Sequence, residues 1–125
     1  HDLPIREDYI VDGNWSVKQA YLATEQLLSL RQKPDAIFCA SDLMAVGVYQ
    51  ALSQHGLRVP YDIAVVGYDN QLLSSELTPT LTSVELPYDE MARQAIDFIL
   101  DTSMSDLPLI KIEGELVVRQ SSQNL

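Results

Sequence analysis

Residues 34–70 read PDAIFCASDLMAVGVYQALSQHGLRVPYDIAVVGYDN. Ala36–Ala40 is a short apolar run that suits a strand buried on both faces. Asp42 follows as a natural N-cap, because its carboxylate can accept the free N–H groups of a first helical turn. The helix predicted from there runs to about His55, and Gly56 supplies its left-handed stop. After Pro60, Ile63–Gly67 is a second apolar strand. Each strand ends in polar residues: Ser41 and Asp42 after the first, Asp69 and Asn70 after the second. In open α/β sheets ligands bind outside the carboxyl ends of the strands. The stretch therefore places hydrogen-bonding side chains where such a fold would hold a small molecule.

The flanks extend this pattern. Residues 1–14 are irregular apart from Tyr9-Ile10-Val11. Ser16 has the chemistry of an N-cap, and Ala20, Leu22, Ala23, Leu27, Leu28 and Leu30 suit a helix running to about Gln32, before Pro34. On the other side a short helix is expected over residues 71–77, cut off by Pro79, and then a strand over 81–85. Pro87 precedes a helix from Tyr88 to about Leu100 with Met91, Ala92, Ala95, Ile96 and Ile99 on one face. Two short strands are expected near 109–112 and 115–119, divided at Gly114. Strands alternating with helices predict an α/β domain with a mainly parallel sheet.

Size and charge narrow the function. A chain of 125 residues is one domain by size, with enough length to bury a core without staples. Its net charge of -10, with only eight scattered Lys and Arg, excludes DNA binding by this segment alone, because that binding rests on neutralising phosphates. Cys39 is the single cysteine and can form no intrachain disulfide, which fits a reducing compartment. No apolar run reaches membrane-spanning length and no signal peptide is visible, so a cytoplasmic location without membrane contact is expected.

Motifs for enzyme chemistry are missing. There is no GxxxxGK[ST] phosphate loop, no GxGxxG after a strand and no Gly-x-Ser-x-Gly elbow. His1 and His55 lie far apart and lack cysteines or carboxylates at ligand spacing, so zinc is not expected. His55 suits a helix C-terminus, where it offsets the dipole. Asp42 and Asp69 could together attract magnesium, but such sites gather several carboxylates. No catalytic residue, metal or cofactor is expected, and the chain reads as a binding module and not as an enzyme.

Three motifs, PDAIFCASDLMAVGVYQAL, LRVPYDIAVVGYDN and ELVVRQSS, resemble in order and spacing the lac repressor/gal repressor family of bacterial transcription regulators. The resemblance covers nearly the whole chain. It implies an effector-binding core of periplasmic-binding-protein type I: two three-layer α/β subdomains with mainly parallel sheets, joined by crossing segments. Residues 1–125 would be the C-terminal part of that core. Residues 1–84 and 115–125 would belong to an incomplete C-terminal subdomain, and 85–114 to a crossover and a helix of the N-terminal subdomain. The implied function is effector sensing and dimerisation in a DNA-binding regulator. DNA would be bound only through an N-terminal helix-turn-helix outside this sequence. The alternative is a periplasmic sugar-binding protein of a transporter, which shares the architecture. The helix from Tyr88 would expose Met91, Ile96 and Ile99 without its partner layer, favouring self-association or helix swapping of the chain alone.

The resemblance also assigns residues. Trp15, in DGNWS, would line the pocket of a sugar or nucleoside effector, its ring facing a sugar's C–H face or a base; the other reading is a staple packing inward at the helix start. Asp69 would accept hydrogen bonds from ligand hydroxyls; otherwise it shapes a turn. Ser41 stands where the family often has asparagine, with a shorter reach. Asp42 reads as the helix cap. Val46, Tyr49 and Gln50 lie on one helix used for homodimer contacts, and Leu72, Leu73 and Leu77 on the other segment so used.

Overall fold

Proline and glycine punctuate the chain where its elements end. The computed structural model describes residues 4–100 and 109–123. In order these form a 3-10 turn at Glu7–Tyr9, α1 (Val17–Ser29), β1 (Ala36–Phe38), α2 (Asp42–Gln54), β2 (Ala64–Asp69), α3 (Leu72–Glu76), β3 (Thr82–Glu85), α4 (Tyr88–Leu100), β4 (Leu116–Val117) and a second 3-10 turn at Gln120–Ser122. The sheet has the order β1-β2-β3-β4. β1, β2 and β3 are parallel, with Ala36 opposite Ala64 and Val66 opposite Thr82. β4 returns antiparallel, Val117 opposite Ser83. This is the expected mixed α/β architecture.

Ser16 caps α1 as expected, its side chain accepting from the Gln19 N–H. That helix ends at Ser29, short of Gln32. α2 starts differently from the sequence expectation. Ser41, not Asp42, is its N-cap: Ser41 is extended (φ -154°) and its hydroxyl accepts from the Met44 N–H at 3.3 Å. Asp42 is the first helical residue and is fully buried. Two adjacent residues that both cap well compete for one position, and tertiary partners of Asp42 decide it. Gly56, at φ +67°, ends the helix as predicted.

α1 and α2 pack on one face of the sheet. Gly47 makes this close: a Cβ there would collide with the Val17 carbonyl oxygen and the Tyr21 N–H. Leu27 and Leu28 from α1, Val48 and Leu52 from α2, and Ile37, Ile63, Val65 and Leu81 form the core. Leu52, Val65 and Leu81 are completely shielded. Burial of these side chains contributes about 2 kcal/mol each. On the surface beside this core His55 Nε2 meets Glu25 Oε1 at 2.9 Å, joining α2 to α1.

The other sheet face is partly open. β1 is an edge strand whose outer face shows Ala36 and Phe38, the latter 63% exposed. The expectation that this strand is buried on both faces does not hold, since apolarity alone cannot tell an edge strand from a central one. With one helical layer on the sheet, the described chain fits an incomplete type I periplasmic-binding-protein subdomain. α4 has no buried residue, and Met91, Ile96 and Ile99 are all exposed. Residues 109–115 form no strand, so the strand expected near 109–112 is absent. His1 and positions 101–108 of the expected crossover lie outside the described residues.

Candidate functional site

The carboxyl edge of the sheet gathers Ser41 after β1 and Asp69 at the end of β2. The start of α1 reaches the same edge, because Gly13 lies beside Met44 in the first turn of α2. Trp15 therefore shares the edge with Ser41 and Asp69.

Two turns there use unusual backbone. Asn14 and Trp15 have φ of +42° and +51°, and Asp69 and Asn70 have φ of +105° and +50°. Side chains rarely take the left-handed region, and such strain clusters at functional sites. The first turn is held locally: Asp12 Oδ1 accepts from the Asn14 N–H at 2.7 Å, and the Ser16 N–H donates to the Gly13 carbonyl at 3.2 Å. Trp15 is 69% exposed, so its ring faces outward. This is not the packing of an inward staple.

The second turn is held from a distance. Asp42 Oδ2 accepts from the Gln71 N–H at 2.8 Å, and Oδ1 accepts from Ser83 Oγ at 2.6 Å. Ser83 Oγ in turn accepts from the Asn70 N–H at 3.1 Å. Gly67 makes room for this carboxylate, since a Cβ there would strike Asp42 Oδ1. Asp42 is thus a buried strut between α2, β3 and the loop after β2, rather than a cap. Arg119 adds a clamp: Nη2 donates to Asn70 Oδ1 and Nη1 to the Leu81 carbonyl, each at 2.7 Å.

Asp69 itself is half-buried, and among the described residues no hydrogen bond engages its carboxylate. Desolvation first, and the charge of Asp42 second, raise its pKa above the ordinary 3.8. A desolvated carboxylate without protein donors is an acceptor for donors arriving from outside. Ser41 is buried and its oxygen already serves α2, but its hydroxyl proton can still be donated. Cys39, two residues earlier, is a buried thiol pushed up to about 12, mainly by desolvation, and is inert as a nucleophile. Among the described residues no three His, Cys, Asp or Glu gather to hold a metal ion.

The expected dimer residues divide into three sets. Gln50 and Leu72 point outward, Leu72 with 75% exposure. Val46 and Leu73 are half-buried. Tyr49 and Leu77 pack against their own core, with Tyr49 donating to the Pro79 carbonyl at 3.0 Å. Burial raises the Tyr49 hydroxyl to about 12. Leu43 on α2, 48% exposed, is an outward apolar residue that the sequence reading missed. A groove of about 470 Å³ lined by Tyr49, Gly56, Val59, Tyr61 and Pro79 lies at the amino ends of the strands, away from Asp69.

Residues 1–122 match the family model of the periplasmic binding protein-like domain. The chain belongs to this family. Within it, the chain is 37% identical over 123 residues to the HTH-type transcriptional repressor PurR of Pectobacterium carotovorum, covering 96% of this chain and 36% of the repressor. It spans about a third of the length of the curated relatives it matches. A transcriptional regulator CelR–cellobiose complex is similar at 34% identity and a TM-score of 0.83, over 96% of this chain and 38% of that one. The lac repressor dimer bound to operator and the anti-inducer ONPF is similar at 31% identity and a TM-score of 0.80, over 88% and 39%. These relatives bear out the resemblance to lac repressor/gal repressor regulators. Ser83 and Arg119 carry the turn without having been singled out from the sequence, and Asn70 was named there only as a polar residue at a strand end. Their one signal was polarity within a strand and at a strand end, which demands partners where it is buried.

Proposed function

We propose that this chain is the C-terminal effector-sensing part of a DNA-binding transcriptional regulator, with Trp15, Ser41 and Asp69 on the rim that takes a small sugar or nucleoside. The observation that carries this is Asp69: a half-buried carboxylate on left-handed backbone, with a raised pKa and no donor among the described residues. Ligand hydroxyls would supply that donor, while the exposed indole of Trp15 covers a sugar or base face. The repressor names of the relatives favour a regulator over a transporter's periplasmic binding protein.

In this reading residues 85–114 cross to a second subdomain, which covers the exposed Met91, Ile96 and Ile99 face of α4. The homodimer forms through Val46, Tyr49, Gln50, Leu72, Leu73 and Leu77, of which Gln50 and Leu72 make the outward contacts. DNA is held by an N-terminal helix-turn-helix, and the protein works in the cytoplasm without catalysis. Effector binding shifts the dimer between DNA-binding and non-binding arrangements through its different affinity for the two.

A thermal-shift screen of sugars and nucleosides on the full-length protein tests the site. A ligand of the native state raises Tm. The Asp69→Ala and Trp15→Ala variants should each lose most of that shift. A hit that survives both substitutions undiminished overturns the assignment.

A further inference from the structure

We propose that Arg119 is a positioning residue that ties the return segment after β4 to the Asp69 turn, so that ligand occupancy and the crossing strands are coupled. This rests on the reading of Asp69 as a ligand acceptor. The backbone of Arg119 is fixed on the start of β3: its N–H donates to Thr82 Oγ1 at 2.8 Å, and Thr82 Oγ1 donates to the Arg119 carbonyl at 3.1 Å. From there the guanidinium reaches over β3 and uses two nitrogens, one on the Leu81 carbonyl and one on Asn70 Oδ1. Asn70 Oδ1 also accepts from Ser74 Oγ at 3.2 Å. Together with the Asn70 N–H bond to Ser83, this pins the residue after Asp69 by both its backbone and its side chain.

The outgoing and returning chains run side by side here. β4 pairs with β3, and the Glu85 N–H donates to the Glu115 carbonyl at 2.7 Å. A shift of the return segment along β3 would pull the Arg119 fork against Asn70 and rotate the peptide that carries Asp69. By linkage, a ligand that fixes Asp69 would hold the return segment in place. Among the described residues Arg119 makes no hydrogen bond to Asp69 itself; its side chain bonds to Asn70 and Leu81. It acts through a rigid fork of donors, which lysine cannot reproduce.

Amide hydrogen exchange on the full-length protein tests this without any ligand. In Arg119→Ala and Arg119→Lys, exchange at Asn70 and Gln71 should rise roughly tenfold, the loss of one charged hydrogen bond, with α1 amides such as Leu27 unchanged. Asn70→Ala should do the same, and the Arg119→Ala/Asn70→Ala double variant should exchange no faster than Asn70→Ala alone. Exchange that stays at wild-type rates at the turn, or rises equally throughout α1, overturns the positioning role. Titration with cellobiose and lactose, using Asp69→Asn as a reference, tests the coupling. A sugar that needs Asp69 but binds Arg119→Ala with unchanged affinity overturns it. If neither sugar depends on Asp69, the sugar reading of the site fails while the exchange result still decides the role of Arg119.

Discussion

The two left-handed turns at the carboxyl edge present one candidate ligand side chain each, but they are built differently. The Asn14–Trp15 turn draws on neighbours within three residues, Asp12, Gly13 and Ser16. The Asp69–Asn70 turn draws on Ser83, Asp42 and Arg119, which are 13, 29 and 49 positions from the residues they bind. A locally built turn can adjust without disturbing the fold. A turn built from α2, β3 and the return segment cannot. In the proposed reading Trp15 would then be an adaptable stacking surface, and Asp69 a fixed acceptor whose position reports on the rest of the domain. Binding and stability should separate at the first turn and entangle at the second.

The largest test of this difference is Asp42→Ala. It leaves the buried Ser83 hydroxyl and the Gln71 N–H without an acceptor, and should lower the unfolding free energy by about 3 kcal/mol. Removing the local cap with Ser16→Ala should cost only about 1 kcal/mol. Urea unfolding of the two variants compares them directly. Equal losses would mean that the distant partners contribute no more than local ones. Next in size is Asp69→Gly, with the opposite sign. Glycine tolerates φ of +105°, so relief of strain, net of glycine's greater freedom when unfolded, should raise stability by about 1 kcal/mol. Effector binding should be lost at the same time. A variant that loses both stability and binding would show that the turn is not strained. Trp15→Ala, at a side chain 69% exposed, should change stability by less than about 0.5 kcal/mol while weakening binding.

Much of this was legible in the sequence. Pro34, Pro79, Pro87 and Gly56 bracket α1, α2, α3 and α4, and the apolar runs between them became β1, β2 and β3. Ser41-Asp42 was not legible, because both residues cap well and the sequence holds no local sign that Asp42 meets Ser83, 41 residues on. The exposed face of β1 was hidden for a similar reason: Ala-Ile-Phe reads alike at an edge and at a centre. Arg119 lay in a quoted motif with no role, since its partners Leu81 and Asn70 come together only after β4 returns beside β3. Local chemistry predicts elements and local turns; what holds the Asp69 turn is long-range and became visible only in the fold.

The smallest expected effect is in pH, and it also separates the two turns, because Trp15 carries no titratable group and Asp69 does. The Asp69 pKa is raised in the folded state above its ordinary 3.8, by desolvation and by Asp42. The folded protein therefore holds that proton more tightly than the unfolded chain. Between 3.8 and the raised value, stability falls as pH rises, and the penalty is relieved as pH drops. Asp62 has the reverse sign. Its bonds with Arg58 hold it down at about 2, so its contribution is full above its ordinary value and is lost as pH falls toward 2. Asp69→Asn should remove only the first of these slopes from a stability–pH curve. In binding, hydroxyl donors need the ionised carboxylate, so effector affinity should fall on acidification from a higher pH than an ordinary aspartate would give. Calorimetric titrations of the full-length protein across that range should show the fall in Trp15→Ala, at lower overall affinity, and none in Asp69→Asn. If the acid-side loss persists in Asp69→Asn, the titrating acceptor is another group and the second turn is only scaffolding.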